Sequence, residues 1–126
     1  MMTDFAAAAD KVVEAFNEKD FDTLRTLMAP NLKFRHFNRD FAIDDRDEFV
    51  DLLIHFAKNI MPVRRLETPE RVTVSGNMVV REGWYSGKAA GNWEGWSEAG
   101  QEVRHKTASF YLFGDDGLLL EWVDYG

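Results

Sequence analysis

The chain has 126 residues, close to the commonest size of one domain, so we expect a single domain over residues 1–126. It is 45% hydrophobic and 29% charged, which excludes an intrinsically disordered protein, and its net charge of −7 argues against nucleic-acid and anionic membrane partners. The absence of cysteine excludes disulfides, thiol nucleophiles and zinc sites with cysteine ligands.

No segment approaches the roughly 20 apolar residues that a membrane span needs, and the first ten residues lack the basic and apolar blocks of a signal peptide. We therefore expect a cytoplasmic protein. The unusual part of the composition is its aromatic content of ten Phe, four Trp and three Tyr. Such rings fill a core, which is the default interpretation, or line a cavity that takes flat apolar molecules.

Three segments have the apolar spacing of amphipathic helices. The first runs from Thr3 to Glu18, with Thr3 as its cap. The second is short, has Asp20 as its cap and is expected to end at Pro30, because the residue before a proline avoids the α region. The third begins with a capping-box pattern at Asp45 and ends at Pro62.

Five segments have the composition of strands. One lies between the second and third helices, and the other four follow the third helix: Leu32–Phe37, then Arg64–Ser75, Met78–Ser86, Val103–Phe113 and Leu118–Tyr125. The pairs Gly76-Asn77 and Asp116-Gly117 predict tight hairpin turns. Helices grouped before consecutive strands predict an α+β fold with the helices on one face of the sheet.

The segment 87–102 is rich in glycine and charge and is predicted to be the long loop of a hairpin. It contains Trp93 and Trp96, and two tryptophans in a loop require contacts elsewhere. A lid over a pocket and a contact between two copies of the chain are equally good interpretations.

Three stretches carry a resemblance to a known family: AFNEKDFD at 15–22, APNLKFRH at 29–36 and FGDDGLLLEWVDY at 113–125. In this order and spacing they resemble the SnoaL-like branch of the NTF2-like superfamily, which includes ketosteroid isomerases, polyketide cyclases and limonene epoxide hydrolases. The resemblance implies a cone-shaped roll, with three N-terminal helices packed on a curved, mostly antiparallel sheet that encloses an apolar pocket. It also implies a homodimer, and it does not fix the activity, because this fold hosts many.

Asp124 is the first candidate for chemistry. Alternation along the last strand places Leu120, Trp122 and Asp124 on one face. The resemblance implies that Asp124 occupies the position of the water-activating aspartate of the epoxide hydrolases, and a carboxylate shielded from water can take a proton from water or a carbon acid. The alternative is a surface aspartate near the C-terminus.

His36 is the second candidate, on the same strand face as Leu32 and Phe34. The resemblance implies the position of the isomerases' catalytic base, and histidine has an ordinary pKa near working pH, about 6.5. The alternative is a histidine packed into an aromatic wall. We expect Asp124 to orient His36, as a base and its partner.

Alternation places a further set on one face of the strand from Val103: His105, Thr107, Ser109 and Tyr111. The resemblance implies that Ser109 stands where the isomerases hold an oxyanion donor. Two departures weaken a direct transfer of activity. Val12 replaces the isomerases' tyrosine donor, and Gly83 and Tyr85 replace the arginine and aspartate of the epoxide hydrolases.

The leading hypothesis is an enzyme that carries out an isomerisation, an aldol-type cyclisation or a hydration on a small apolar ring-containing molecule, without a cofactor. Its catalytic residues would be His36, Asp124 and Ser109, with Tyr85 or Tyr111 as further donors. The expected ligand-binding residues are Phe34, Phe49, Leu53, Tyr85, His105, Thr107, Tyr111 and Trp122. The alternative is a non-catalytic binding or dimerisation module of the same fold. A metal site of His36, His105 and Asp124 is disfavoured, because no short ligand spacing supports it.

Overall fold

The computed structural model describes residues 4–93 and 97–126. Three α-helices are present: α1 (Phe5–Glu18), α2 (Phe21–Thr26) and α3 (Arg46–His55). A 3-10 turn spans Phe37–Arg39, and a π-helical turn at Phe56–Ile60 extends α3. Over the described part of the chain, no helix combines the length and the apolar composition that crossing a membrane requires.

Seven strands form one mixed sheet: β1 (Met28–His36), β2 (Phe41–Ile43), β3 (Val63–Leu66), β4 (Arg71–Ser75), β5 (Met78–Lys88), β6 (Glu102–Phe113) and β7 (Leu119–Tyr125). The strand order is β2-β1-β7-β6-β5-β3, and β4 also pairs with β5. Only the β1–β7 pair is parallel among these ladders. The sheet is curved and unclosed, and the predicted α+β fold with a mostly antiparallel sheet is confirmed.

The helices begin where side chains cap them. Asp4 accepts a hydrogen bond from the backbone N–H of Ala7 at 3.0 Å and caps α1, whereas the predicted cap, Thr3, lies outside the described residues. Asp20 and Asp45 each accept from the backbone N–H three residues on, at 3.2 and 2.8 Å. Both predicted caps are confirmed, because a short acidic side chain satisfies the free N–H groups of the first turn.

The prediction of a single strand over Arg64–Ser75 is wrong, because this segment forms two strands, β3 and β4. Both parts pair with β5, and Pro69 lies in the interruption. Proline has no backbone N–H to donate to the ladder. A Cβ on Gly83 of β5 would lie 3.2 Å from the Pro69 Cα, so the glycine lets the interrupting segment approach closely.

The boundary between the second helix and the first strand also differs from the prediction. Helix α2 ends at Thr26, and β1 already begins at Met28, so Pro30 lies inside the strand rather than at the end of the helix. Met28 pairs with β7, and the regular pairing resumes at Lys33 after a shift in register. The irregular section accommodates a proline that cannot donate to a neighbouring strand. The three-residue strand β2 was not predicted.

The predicted inner face of the last strand is partly wrong. The ladder between β6 and β7 shifts register next to Leu119, so Leu119 is fully buried and Leu120 is only half-buried. A β-bulge inserts one extra residue into β7. The residues before the bulge therefore point to the opposite sheet faces from those that regular alternation predicts. Beyond the bulge Trp122 and Asp124 share the inward face, as predicted.

Trp122 lies at the centre of the core and is 2% exposed. Its indole makes edge-to-face contacts with Phe16 of α1 at 5.8 Å, Phe34 of β1 at 6.1 Å and Phe49 of α3 at 5.5 Å between ring centroids. Each such pair adds about 0.5–1.5 kcal/mol beyond the burial of its area. One side chain of the sheet therefore holds two helices and a neighbouring strand in position.

Gly87 provides a test of the close packing between β3 and β5. A Cβ at this position would collide with the carbonyl oxygen of Val63 and lie 3.0 Å from the Cα of Arg64. We expect Gly87→Ala to lower the free energy of unfolding by about 2–3 kcal/mol in urea denaturation, because the backbones must separate. Lys88→Ala, on the exposed next residue, should change it by less than about 0.5 kcal/mol. A Gly87→Ala protein of unchanged stability would contradict the close approach.

Candidate active site

A cavity of about 450 Å³ lies between the sheet and the helices. Its apolar wall includes Phe16, Phe34, Phe41, Phe49, Leu53, Phe56, Leu66, Tyr85, Trp93 and Trp122. Five polar residues line it: His36 at the end of β1, Arg39 on the 3-10 turn, His105 and Thr107 on β6, and Asp124 near the end of β7. Of the predicted ligand-binding residues, only Tyr111 lies outside this wall, because it is fully buried beside Trp122, with ring centroids 5.3 Å apart.

Among the described residues, only one oxygen of the Asp124 carboxylate accepts side-chain hydrogen bonds. The Ser109 hydroxyl donates to Oδ1 at 2.6 Å, and the Trp122 indole N–H donates to the same oxygen at 2.9 Å. Ser109 reaches it because it is the register partner of Asp124 on β6. Neither bond uses Oδ2, so the second oxygen of this cavity-lining carboxylate is the one that a ligand can meet.

Burial raises the pKa of Asp124 from 3.8 to about 6, against the hydrogen bonds from Ser109 and Trp122, which lower it. The desolvation of the charged form is therefore larger than the stabilisation by two donors. At neutral pH the carboxylate is mostly ionised, yet its pKa is near enough to neutrality for it to take up and return a proton.

His36 is the register partner of Asp124 on the parallel neighbouring strand. Among the described residues, however, the hydrogen-bond donors to the carboxylate are Ser109 and Trp122, so the structure shows no hydrogen bond in the predicted His36–Asp124 pair. Burial, followed by the positive charge of Arg39, lowers the pKa of His36. The imidazole is therefore neutral at neutral pH and faces the same cavity as the carboxylate.

The other predicted donors differ in what they can reach. Ser109 is 3% exposed, does not line the cavity and uses its hydroxyl hydrogen on Asp124. Tyr85 does line the cavity, and its hydroxyl donates a weak bond to the Met61 Sδ at 3.6 Å. His105 also lines it, with a pKa that burial and then Arg39 lower. No three His, Asp or Glu side chains converge to hold a metal ion in the part of the chain that the structure describes.

Trp93 forms part of the cavity wall, where its ring lies edge to face with Phe56 at 5.6 Å and near His55 at 6.4 Å. Trp96 lies outside the described residues. Several lining residues were not identified from the sequence, and Phe16 and Arg39 are two examples. Phe16 has the helical spacing of any core residue, and Arg39 stands on a 3-10 turn that has no periodic pattern.

The sequence profile of the SnoaL-like domain family matches residues 9–122 of the chain. The chain belongs to the SnoaL-like domain family. The resemblance in the three stretches at 15–22, 29–36 and 113–125 is thereby confirmed. No curated protein is similar to this SnoaL-like chain in sequence.

Solved structures share the fold over nearly the whole SnoaL-like chain. A candidate polyketide cyclase from Xanthomonas campestris pv. campestris has a TM-score of 0.83 and 22% identity, over 97% of this chain and 89% of that one. An LEH-like epoxide hydrolase from M. tuberculosis has a TM-score of 0.75 and 19% identity, over 96% and 80%. A candidate hydroxylase from Streptomyces galilaeus has a TM-score of 0.76 and 20% identity, over 98% and 79%. At these identities the similarity establishes the NTF2-like fold.

The raised pKa of Asp124 predicts how stability depends on pH. Because the folded-state value of about 6 exceeds the ordinary 3.8, the folded chain binds this proton more tightly than the unfolded chain does. The ionised side chain therefore destabilises the fold by about 3 kcal/mol above pH 6, and this loss disappears as the pH falls from about 6 to about 4. Asp124→Asn should thus be more stable than the wild type at neutral pH, with a difference about 3 kcal/mol smaller at about pH 4. Urea denaturation of both proteins at the two pH values measures this, and an equal difference would contradict the raised pKa.

Proposed function

We propose that this chain is an enzyme that acts on a small apolar, ring-containing molecule by general acid–base chemistry, with Asp124 as the proton acceptor. The observation that carries the proposal is a shielded carboxylate held through Oδ1 by Ser109 and Trp122, in the wall of an aromatic cavity. The volume of about 450 Å³ falls in the range of small-molecule sites.

In this scheme Asp124 Oδ2 takes a proton from a carbon next to a carbonyl group, or from water that attacks the ligand. Negative charge then develops on a ligand oxygen and requires hydrogen-bond donors in the cavity. The neutral His36 imidazole faces the cavity and suits this role, and the Tyr85 hydroxyl becomes a second donor when it exchanges its weak bond to the Met61 Sδ for one to the ligand. Ser109 positions the base rather than the ligand. An isomerisation, an aldol-type cyclisation and a hydration all follow from this proton transfer, and none needs a cofactor.

The comparisons support these classes of reaction. Among proteins with this fold are a candidate polyketide cyclase and an LEH-like epoxide hydrolase. Both names describe transformations of small organic molecules. They support a catalytic use of the cavity, while the residues of this chain decide which proton is moved.

Exchange of hydrogen for deuterium tests Asp124 directly. A bicyclic ketone such as 2-tetralone has acidic C–H bonds next to its carbonyl, and NMR in heavy water follows their replacement. We expect the chain to accelerate exchange, with a rate that rises through about pH 6 as Asp124 ionises. Asp124→Asn should reduce the acceleration by about 10²–10⁴-fold, the usual contribution of a positioned base.

Asp40→Asn is the matched control, because it removes another carboxylate that lines the cavity and should leave the exchange rate nearly unchanged. Ser109→Ala should shift the pH dependence to higher pH, since loss of a hydrogen bond to the charged form raises the pKa of Asp124 further. If Asp124→Asn exchanges the ketone as fast as the wild type, Asp124 is not the base.

A non-catalytic binding module is the second candidate, and specific residues favour it. Val12 stands in place of the isomerases' tyrosine donor, and Gly83 and Tyr85 in place of the hydrolases' arginine and aspartate. An aromatic cavity captures a ligand equally well without these groups. Saturable binding of the ketone with no exchange above the buffer rate would favour this alternative.

We also propose that the protein acts in the cytoplasm on dissolved small molecules, without nucleic-acid or membrane partners. The net charge of −7 supports this, because it opposes binding to phosphate backbones and to anionic lipid surfaces.

A homodimer is the further part of the proposal, with the sheet face opposite the core as its interface. Val80, Phe110 and Val123 are register partners and form an apolar row across β5, β6 and β7 on that face. The ring of Tyr125, which is 43% exposed, lies 5.6 Å from Phe110.

Phe110→Glu should convert the dimer to a monomer in sedimentation velocity at micromolar concentration, because it places a charge in an apolar contact. Val74→Glu is the control, because Val74 is 49% exposed and pairs with Val79, so alternation places it on the sheet face opposite the apolar row, and the dimer should stay intact. A wild-type chain that sediments as a monomer would contradict the dimer.

A further inference from the structure

Arg64 is a buried cation beside the cavity. It lies on β3, is 5% exposed and shares its strand face with Leu66, which lines the cavity. Its guanidinium carbon lies 4.0 Å from the centroid of the Phe16 ring, and Phe16 lines the cavity as well. The charge is therefore directly beside the wall where α1 meets the sheet.

The two terminal nitrogens of Arg64 are buried, and neither has a hydrogen-bond acceptor among the described residues. The other arginines of β4–β6 differ, because Arg71, Arg81 and Arg104 each pair with a carboxylate. Burial lowers the pKa of Arg64, yet an arginine keeps its charge in proteins. A buried charge without an acceptor is costly, and such groups are normally paired.

We propose that Arg64 is the anion-binding residue of this cavity, and that its preferred ligand is an aromatic or alicyclic acid whose carboxylate reaches the two terminal nitrogens between Phe16 and Tyr85. A planar guanidinium donates two parallel hydrogen bonds to a carboxylate, which no other side chain does with the same geometry. The Phe16 ring covers one face of the guanidinium, and the terminal nitrogens are not exposed to the cavity, so a ligand carboxylate reaches them only when the neighbouring wall side chains move aside. The proposal rests on the cavity as the ligand site and does not require that Asp124 be catalytic.

Tyr85 helps to define the orientation of the bound ligand. Its hydroxyl interacts electrostatically with both Arg64 and Asp124, although burial has the larger effect on its pKa. Tyr85 is therefore close to both the cation and the carboxylate. A ligand bound through its acid group at Arg64 places its ring beside Tyr85 and its far end towards Asp124, so the two negative charges are separated.

A matched pair of ligands, 2-naphthoate and 2-naphthamide, tests the proposal, because they share the ring system and differ in charge. Calorimetric titration of the wild type should give at least about tenfold tighter binding of the acid, the value of a charge-assisted hydrogen bond. Arg64→Met, which keeps the length of the side chain over Phe16, should remove this preference and bind the amide as the wild type does. Arg65→Met is the control, because it removes the same charge from an exposed neighbour on the same strand, and it should keep the preference.

Equal binding of the two ligands by the wild type would overturn the proposal, as would the absence of binding of either ligand or a preference that survives in Arg64→Met. The melting temperature of Arg64→Met separates a structural role from a binding role. Loss of an unpaired buried charge should leave it unchanged or raise it, and a large decrease would overturn the proposal. Arg64→Lys keeps the charge without the planar fork and should retain part of the preference. The preference is measured without turnover, so a wild type that prefers the acid but does not exchange 2-tetralone would contradict the proposed catalysis and leave this site intact.

Discussion

The indole of Trp122 links the core of this protein to its candidate chemistry. Its ring contacts Phe16, Phe34 and Phe49, which belong to two helices and a neighbouring strand, and its N–H donates to the Asp124 carboxylate at 2.9 Å. The indole cannot turn without separating those three contacts. The same packing that holds the helices on the sheet therefore fixes the direction from which Oδ1 is held, and leaves Oδ2 as the oxygen for a ligand.

Burial acts in opposite directions on the titratable groups that share the cavity. It raises the pKa of Asp124 to about 6 and lowers the pKa values of His36 and His105, to which Arg39 contributes further. A carboxylate and two neutral imidazoles thus coexist at neutral pH. When their surroundings shift the pKa values of neighbouring groups in different directions, one group can accept a proton while another donates a hydrogen bond in the same site.

The sequence predicts those features that depend on neighbours along the chain. The caps Asp20 and Asp45 are examples, because a capping side chain and the backbone N–H from which it accepts lie within one helical turn. It does not predict features that depend on register between strands. The bulge that buries Leu119 in place of Leu120, and the contact between Ser109 and Asp124 across β6 and β7, arise from pairings that no local pattern encodes. Tyr111 has the alternation of a cavity residue and is instead fully buried, with its ring packed against Trp122.

The two proposals together would constrain the ligand. Arg64 lies behind the cavity wall at Phe16, Asp124 lies in the wall, and the two side chains carry opposite charges. An acid bound in the reverse direction would bring two carboxylates together in an apolar site, which is strongly unfavourable. The arrangement therefore selects for orientation as well as for charge. If both proposals hold, the position on the ligand that loses a proton to Asp124 is one distant from its acid group.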